Sequence, residues 1–136
     1  MKIQQAIIDA MIADTRQALP NEGCGYLAAE AKTDRITAIY PMTNVDASPE
    51  HFSFDPAEQF KTVKAARAAK QTLVAVYHSH PETPARLSEE DLKLLNDPDM
   101  LYIIVSFKNA TPDIAAFKIN KASDKISVTS INLEVL

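Results

Sequence analysis

The segment that most restricts the fold is a six-residue run, TLVAVY, at residues 72–77. It is apolar on both faces, whereas a strand with one solvated face alternates apolar and polar residues. A strand of this kind has to be covered on both sides, as in the middle of a sheet that carries helices. The run therefore predicts a buried central strand and, with predicted helices before and after it, an α/β fold.

The rest of the chain divides into helices and strands around this run. Apolar residues at helical spacing predict an amphipathic helix over residues 3–19. Asp55, followed by Pro56, predicts the start of a second helix that runs to about Lys70. In that helix we expect Phe60, Val63 and Ala66 to face inward. A short helix is expected over residues 88–96, and strands are expected over 24–30, 35–42, 51–54, 100–107, 113–119 and 126–135.

Composition limits the class of protein. With 136 residues, 46% of them apolar, the chain is expected to form one domain over residues 1–136. Its net charge of −4 argues against nucleic acid as the main partner. The single cysteine, Cys24, excludes an internal disulfide and a cysteine-rich zinc site. No apolar run reaches the roughly 18 residues of a spanning helix, so we expect no membrane partner and a cytoplasmic location.

Two of the three histidines form the tripeptide His78-Ser79-His80 at the end of the predicted central strand. Side chains at i and i+2 of a strand share a face, so both imidazoles can reach one cation. Asp91 follows eleven residues after His80 and would complete a set of three ligands. Three protein ligands around zinc leave a position for water, as in catalytic sites. The donors also permit iron, manganese or cobalt, and zinc is favoured because hydrolysis needs a Lewis acid without redox chemistry.

Each part of this pattern also has a purely structural interpretation. A lone His-x-His at a strand end is commonly a solvated or hydrogen-bonded pair. Ser88 and Asp91 have the spacing of a helix capping box, in which Asp91 would turn back to the Ser88 amide. The combined spacing of the histidines, the serine and the aspartate favours the metal site.

A metal-bound water needs a proton acceptor, and Glu22 is the candidate. It directly precedes a predicted strand, and Gly23 and Gly25, the chain's two glycines, permit close backbone approach. Neighbouring Cys24 is interpreted as a small buried residue rather than a regulator of the site. His51 and Arg86 are weaker candidates for substrate contacts, at the groove and the rim respectively. The stripe of Lys61, Lys64, Arg67 and Lys70 is interpreted as a solvated helix face.

The spacing resembles the motif of the JAMM (MPN+) metallopeptidase family: an upstream Glu, His-x-His, seven residues, Ser, two residues and Asp. Glu22, His78, His80, Ser88 and Asp91 match every position. The segments EGCGYL and YHSHPETPARLSEEDL resemble the short, stand-alone bacterial branch. The resemblance implies a curved mixed sheet flanked by helices, similar to cytidine deaminases. It also implies one zinc ion on His78, His80 and Asp91, a proton-transferring Glu22 and an oxyanion-binding Ser88.

The same resemblance implies the substrate class. It indicates a hydrolase that cuts a peptide or isopeptide bond at the C-terminal tail of a ubiquitin-like sulfur carrier. Such a carrier has a β-grasp fold and ends in Gly-Gly, and the product would be an amino acid or short extension. Two alternatives stay open at this point: a non-catalytic interaction scaffold on the same fold, and a DNA-associated relative of the RadC type.

Overall fold

The computed structural model describes residues 1–122 and 124–136. The elements follow in the order β1 (Lys2–Ile3), α1 (Gln5–Ala18), β2 (Cys24–Glu30), β3 (Arg35–Met42), α2 (Pro56–Ala68), β4 (Gln71–His80), α3 (Glu89–Leu94), β5 (Leu101–Ser106), β6 (Asp113–Ala122), β7 (Lys125–Ile131) and β8 (Glu134–Val135). Among the described residues, no helix has the length and apolar character needed to cross a membrane.

One eight-stranded sheet runs through the molecule in the order β7-β6-β5-β4-β2-β3-β1-β8. Strand β4 lies near its middle, antiparallel to β2 and parallel to β5. Although β7 and β8 are at opposite edges, only residues 132 and 133 separate them in the chain. Because so short a link spans only about 10 Å, the sheet must curl until its edges approach. The predicted α/β fold with a curved mixed sheet and flanking helices is therefore confirmed.

Two hydrophobic clusters cover the two faces of this sheet. Along β4, Ala75 and Tyr77 pack into the cluster that contains Ile7 and Met11 of α1. Val76, between them, packs into the other cluster with Tyr26 and Tyr102. Strand β4 thus contributes apolar side chains to both faces, as the TLVAVY run predicts.

Three predicted boundaries are wrong. Residues 126–135 form two strands rather than one, because the chain leaves β6 after Ile131 and pairs with β1 through Glu134 and Val135. Residues 51–54 do not form a strand; Phe54 alone makes an isolated bridge, to Asn44. The first helix begins at Gln5 rather than residue 3, since Lys2 and Ile3 pair with β3.

The inward face of α2 also differs from the prediction. Phe60 is 64% exposed and Val63 is 37% exposed, whereas Thr62 and Ala66 are buried. The helix packs on β3 and β4 through these small side chains, so the larger apolar residues are left outside. The predicted start is right: the Asp55 carboxylate accepts a hydrogen bond from the Ala57 amide at 3.3 Å.

Candidate active site

The two histidines of the tripeptide end strand β4 and point to the same side of the sheet. His78 is completely buried and His80 is 3% exposed. Their Nε2 atoms lie 3.2 Å apart. The two-residue period of the strand is enough to bring these nitrogen atoms together.

Asp91 reaches the same point from helix α3. Its Oδ1 atom lies 3.2 Å from His78 Nε2, and its Oδ2 atom lies 3.0 Å from His80 Nε2. Each of the three residues offers a ligand atom within 4.8 Å of the others. The structure thus brings together the three residues that the sequence pattern assigns to one metal ion.

Asp91 forms the capping box as well. The Ser88 amide donates to Asp91 Oδ2 at 3.0 Å, and the Asp91 amide donates to Ser88 Oγ at 3.0 Å. The structural and the metal interpretations are compatible, because an ionised carboxylate has about four lone-pair sites. The capping bond holds the Asp91 side chain in the orientation that faces both histidines.

The hydrogen bonding of His80 indicates that the cluster suits a cation. Its Nδ1 atom lies 2.9 Å from the Pro84 carbonyl oxygen, which can only accept, so Nδ1 donates and in a neutral ring Nε2 carries a lone pair. That lone pair faces the Asp91 carboxylate at 3.0 Å, a repulsive arrangement without a proton or metal ion. Ligands about 2.0–2.2 Å from a tetrahedral zinc ion are about 3.3–3.6 Å apart, a little more than the separations of 3.0–3.2 Å found here.

The protonation states of His78 and Asp91 support the same conclusion. Burial lowers the pKa of His78, which keeps this ring neutral. Burial opposes ionisation of Asp91, but hydrogen bonds to His78 and His80 hold the pKa of its carboxyl well below the usual range. For His80, burial alone would lower the pKa, but the hydrogen bonds to Asp91 and the Pro84 carbonyl raise it overall, so a bound metal ion would have to displace a proton from this ring. A neutral imidazole and an ionised carboxylate are the forms that bind metal.

Strand register places Glu22 beside this cluster. Strand β2 pairs antiparallel with β4, with Cys24 opposite His78. Two residues further, Glu22 comes opposite His80 on the same face. Gly23 and Ser79 hold this register, because the Gly23 amide donates to Ser79 Oγ at 2.8 Å and the Ser79 amide donates to the Gly23 carbonyl at 3.0 Å.

Glu22 is a buried acid with unused hydrogen-bonding capacity. It is 3% exposed, and its Oε1 atom has no partner among the described residues. Burial raises the pKa of Glu22 to about 8; the charge of His80 lowers it and that of Asp91 raises it further, both more weakly. A carboxyl group of this kind can accept and return a proton near neutral pH.

Asn44 orders the loop that covers Glu22, and the sequence analysis missed it. Its Nδ2 atom donates to the carbonyl oxygens of Glu22 and His51, each at 3.0 Å. Its Oδ1 atom accepts from the amides of Asp46 and Ser53 at 3.1 and 3.3 Å. Asparagine commonly makes such local bonds in turns, which was the available signal in the sequence.

An aromatic groove of about 340 Å³ adjoins His78 and Asp91. Its walls include Tyr26, Phe52, Phe54, His51 and Asp91. The Phe52 ring stacks on His78 with centroids 4.8 Å apart, a contact that the sequence did not indicate. His51 lines this groove, and its Nδ1 atom lies 3.0 Å from Asp46 Oδ2; its contact with substrate stays a prediction.

The other predicted residues lie in different surroundings. Ser88 is the N-cap of α3, and its hydroxyl proton is not needed for the capping bond that its oxygen accepts. Arg86 is exposed in the loop between β4 and α3; its role stays a prediction. Cys24 is fully buried, and burial, with smaller contributions from nearby carboxylates, raises the pKa of its thiol to about 12.

Behind the site, Tyr77 links the sheet to α1. Its hydroxyl donates to Asp14 Oδ2 at 2.7 Å. The ring occupies the space beside Gly25, where an added Cβ would lie 2.5 Å from ring atoms. This packing fixes helix α1 against the strand whose end carries Glu22.

Fold and site together define a hydrolase of the JAMM metallopeptidase class. The family model described as prokaryotic homologs of the JAB domain matches residues 4–120, and the chain belongs to this family.

Individual relatives agree with this assignment. A CysO-cysteine peptidase from Mycobacterium tuberculosis is 38% identical over 107 residues, which cover 79% of this chain and 73% of that protein. A desampylase from Haloferax volcanii is 32% identical over 103 residues, covering 72% of this chain and 74% of its own. The solution structure of a Desulfitobacterium hafniense protein, 39% identical, superposes with a TM-score of 0.84 over 100% of this chain and 94% of its own.

Proposed function

We propose that the protein is a zinc-dependent peptidase with one zinc ion, which cuts a peptide or isopeptide bond at the C-terminal tail of a ubiquitin-like, Gly-Gly-ending sulfur carrier. The observation that carries the proposal is the convergence of His78, His80 and Asp91, with buried Glu22 beside them. The released group is an amino acid or a short extension. The substrate class is supported by a relative whose name specifies a CysO-cysteine bond.

In the proposed mechanism His78 Nε2, His80 Nε2 and a carboxylate oxygen of Asp91 would hold the ion. Zinc, when bound, supplies a Lewis acid that activates water near neutral pH and polarises a carbonyl group. The Pro84 carbonyl orients His80, and the Ser88 amide orients Asp91. Hydrogen bonds of this kind fix the ligands in place and tune their basicity.

Glu22 and Ser88 perform the remaining steps. Glu22 accepts a proton from the attacking water, the new C–O bond forms, and Glu22 returns that proton to the leaving nitrogen as the C–N bond breaks. The Ser88 hydroxyl donates to the carbonyl oxygen as negative charge develops there. By analogy with other oxyanion sites, such a donor is worth about 3 kcal/mol in the transition state.

Metal content and turnover of three variants test this assignment. Glu22→Gln should bind one zinc per chain and lose turnover, because the amide cannot carry the proton. His78→Ala should lose both zinc and turnover, and Glu30→Gln, at the exposed far end of β2, should lose neither. Zinc content is measured by mass spectrometry of metals after dialysis. Equal zinc in wild type and His78→Ala would refute the ligand assignment.

The substrate class requires a separate measurement. Gly-Gly-ending β-grasp carriers, each extended by one amino acid or a short peptide, are incubated with the zinc-loaded protein and analysed by intact-mass spectrometry. We expect loss of the extension after the second glycine, inhibited by a chelator. Cleavage elsewhere in the carriers, or none, would contradict the proposed substrate while leaving the metal assignment intact.

A further inference from the structure

A second cavity, of about 360 Å³, opens directly onto the proposed catalytic residues. Its lining comprises Glu22, Pro49, Glu50, His80, Thr83, Ser88, Glu89 and Glu90. We call this cavity the acidic cleft, because four of its eight lining residues are glutamates and none is a lysine or arginine.

The carboxylates of the cleft come from two separate segments. The Glu50 amide donates to Ser48 Oγ at 3.0 Å, and the Ser48 carbonyl accepts from the Glu22 amide at 2.8 Å. Glu50 therefore belongs to the loop that is bonded to Glu22. Glu89 and Glu90 begin helix α3 on the other side, where acidic residues also favour helix formation. Glu50 lies in a loop rather than at the start of a helix, so helix stabilisation does not explain its negative charge.

These carboxylates are not neutralised within the protein. Over residues 1–122 and 124–136, no lysine or arginine nitrogen lies within 4.0 Å of Glu50, Glu89 or Glu90. All three residues are exposed. The cleft therefore presents uncompensated negative charge to whatever enters it.

The proposed proton transfer by Glu22 indicates which part of a substrate enters the acidic cleft. It is 3% exposed, its Oε1 atom lacks a partner among the described residues, and it lines the cleft. A group that protonates the leaving nitrogen has to lie within hydrogen-bond reach of it. Of the cavities lined by Glu22, the acidic cleft is the one that also contains His80 and Ser88, so the leaving group should occupy the space there, next to Glu50.

We propose that the acidic cleft is the leaving-group subsite, and that Glu50, Glu89 and Glu90 select a leaving group with positive charge over a free amino acid. The inference rests on the proposed function. A peptide segment with lysine or arginine after the scissile bond would be attracted. A single released amino acid brings its own carboxylate into the cleft and would be repelled.

The expected size of the effect follows from the exposure of these groups. An exposed opposite-charge pair changes an equilibrium by a factor of about two to five. Three carboxylates acting together should give roughly a tenfold preference at low ionic strength. Because the charges face solvent, this preference should fall to about threefold or less at 0.5 M salt.

The test uses three synthetic peptides with one common segment that ends in Gly-Gly. They continue with lysine amide, norleucine amide or norleucine with a free carboxylate. The zinc-loaded wild type should cleave them with kcat/KM falling in that order, about tenfold between the first and the last. E50Q/E89Q/E90Q should remove most of this difference. E30Q/D34N/E134Q, with the same change in net charge at exposed residues outside the cleft, should preserve it.

Binding of the same peptides is measured calorimetrically in parallel, so the inference is tested even if none is cleaved. If the peptides are not cleaved, tighter binding of the lysine peptide that disappears in E50Q/E89Q/E90Q would still support the subsite, and the substrate class is decided by the carrier experiment. Cleavage or binding with no preference, or an equal preference in both triple variants, would overturn the inference.

Discussion

Replacing Glu22 with glutamine should change how the stability of the metal-free protein depends on pH. Burial raises the pKa of Glu22 from its ordinary 4.5 to about 8 in the folded protein. Between these values the folded state holds a proton that the unfolded state has released. Stability contributed by this proton is fully present below pH 4.5 and is lost as the pH rises to about 8. Glutamine cannot titrate, so Glu22→Gln lacks this loss.

The magnitude follows from the two pKa values. Each tenfold difference in proton affinity is worth about 1.4 kcal/mol, so linkage predicts a change of about 4 kcal/mol between pH 5 and pH 8.5. The pKa values of His78, His80 and Asp91 also differ between the folded and the unfolded protein. These three residues are present in both wild type and Glu22→Gln. Their contributions largely cancel when wild type is compared with Glu22→Gln. Zinc should abolish most of the difference, since a nearby cation favours the ionised carboxyl.

Urea unfolding in the presence of a chelator measures this effect. The free energy of unfolding of Glu22→Gln, relative to wild type, should rise by about 4 kcal/mol from pH 5 to pH 8.5. Glu30→Gln, at the exposed end of β2, should track wild type at both values. A change below about 1 kcal/mol in Glu22→Gln would show that the Glu22 carboxyl is solvated in the folded protein, and would refute the argument from burial.

Three further predictions concern packing and capping. Gly25→Ala should destabilise the protein by about 2–4 kcal/mol, and lower Tm by roughly 10 °C, because its Cβ would overlap the buried Tyr77 ring; a loss under 0.5 kcal/mol in thermal unfolding would contradict this packing. Ser88→Ala should lose about 1 kcal/mol of stability and about a hundredfold or more in kcat. Ser88→Thr should retain much of both, since the threonine hydroxyl can also cap the helix and donate a hydrogen bond. Equal kcat in the two variants would show that the hydroxyl has no role in catalysis. Phe60→Ser should change the free energy of unfolding by under 0.5 kcal/mol, because Phe60 is 64% exposed. Ile103→Ala, in the core, should lower it by about 2–5 kcal/mol. Equal losses in the two variants would contradict the packing of α2.

The convergence of His78, His80 and Asp91 was predictable because the placement of each residue depends on a local rule. The period of a strand aligns His78 with His80, and the capping box at a helix start orients Asp91. The meeting of strand end and helix start depends on the loop over residues 81–87, for which the sequence offered the spacing but no geometry. The sequence therefore presented Asp91 as either a helix cap or a metal ligand, whereas in the structure its carboxylate caps α3 and also faces both histidines.

The errors have a common physical cause in tertiary packing. In α2 the apolar pattern favours an inward Phe60, but the helix approaches the sheet through Thr62 and Ala66. At the C-terminus, alternation favours one long strand, but the curl of the sheet brings its far edge within reach, and Glu134 pairs there with Lys2. Neither the close approach of a helix nor the closure of a sheet is visible in local periodicity.

The position of Glu22 depends on its two neighbouring glycines, and on the alternation of side chains in a strand. Glu22 and Cys24 lie on the face of the sheet that carries the side chains of His78 and His80, so positions 23 and 25 face α1 on the opposite side. An added Cβ at Gly23 would lie 2.9 Å from the Thr15 Cα atom, and one at Gly25 would lie 2.5 Å from the Tyr77 ring. Any side chain at either position would push β2 away from α1 or from β4. Because Glu22 lies just before β2, the absence of side chains behind the strand is what allows Glu22 to lie against His80.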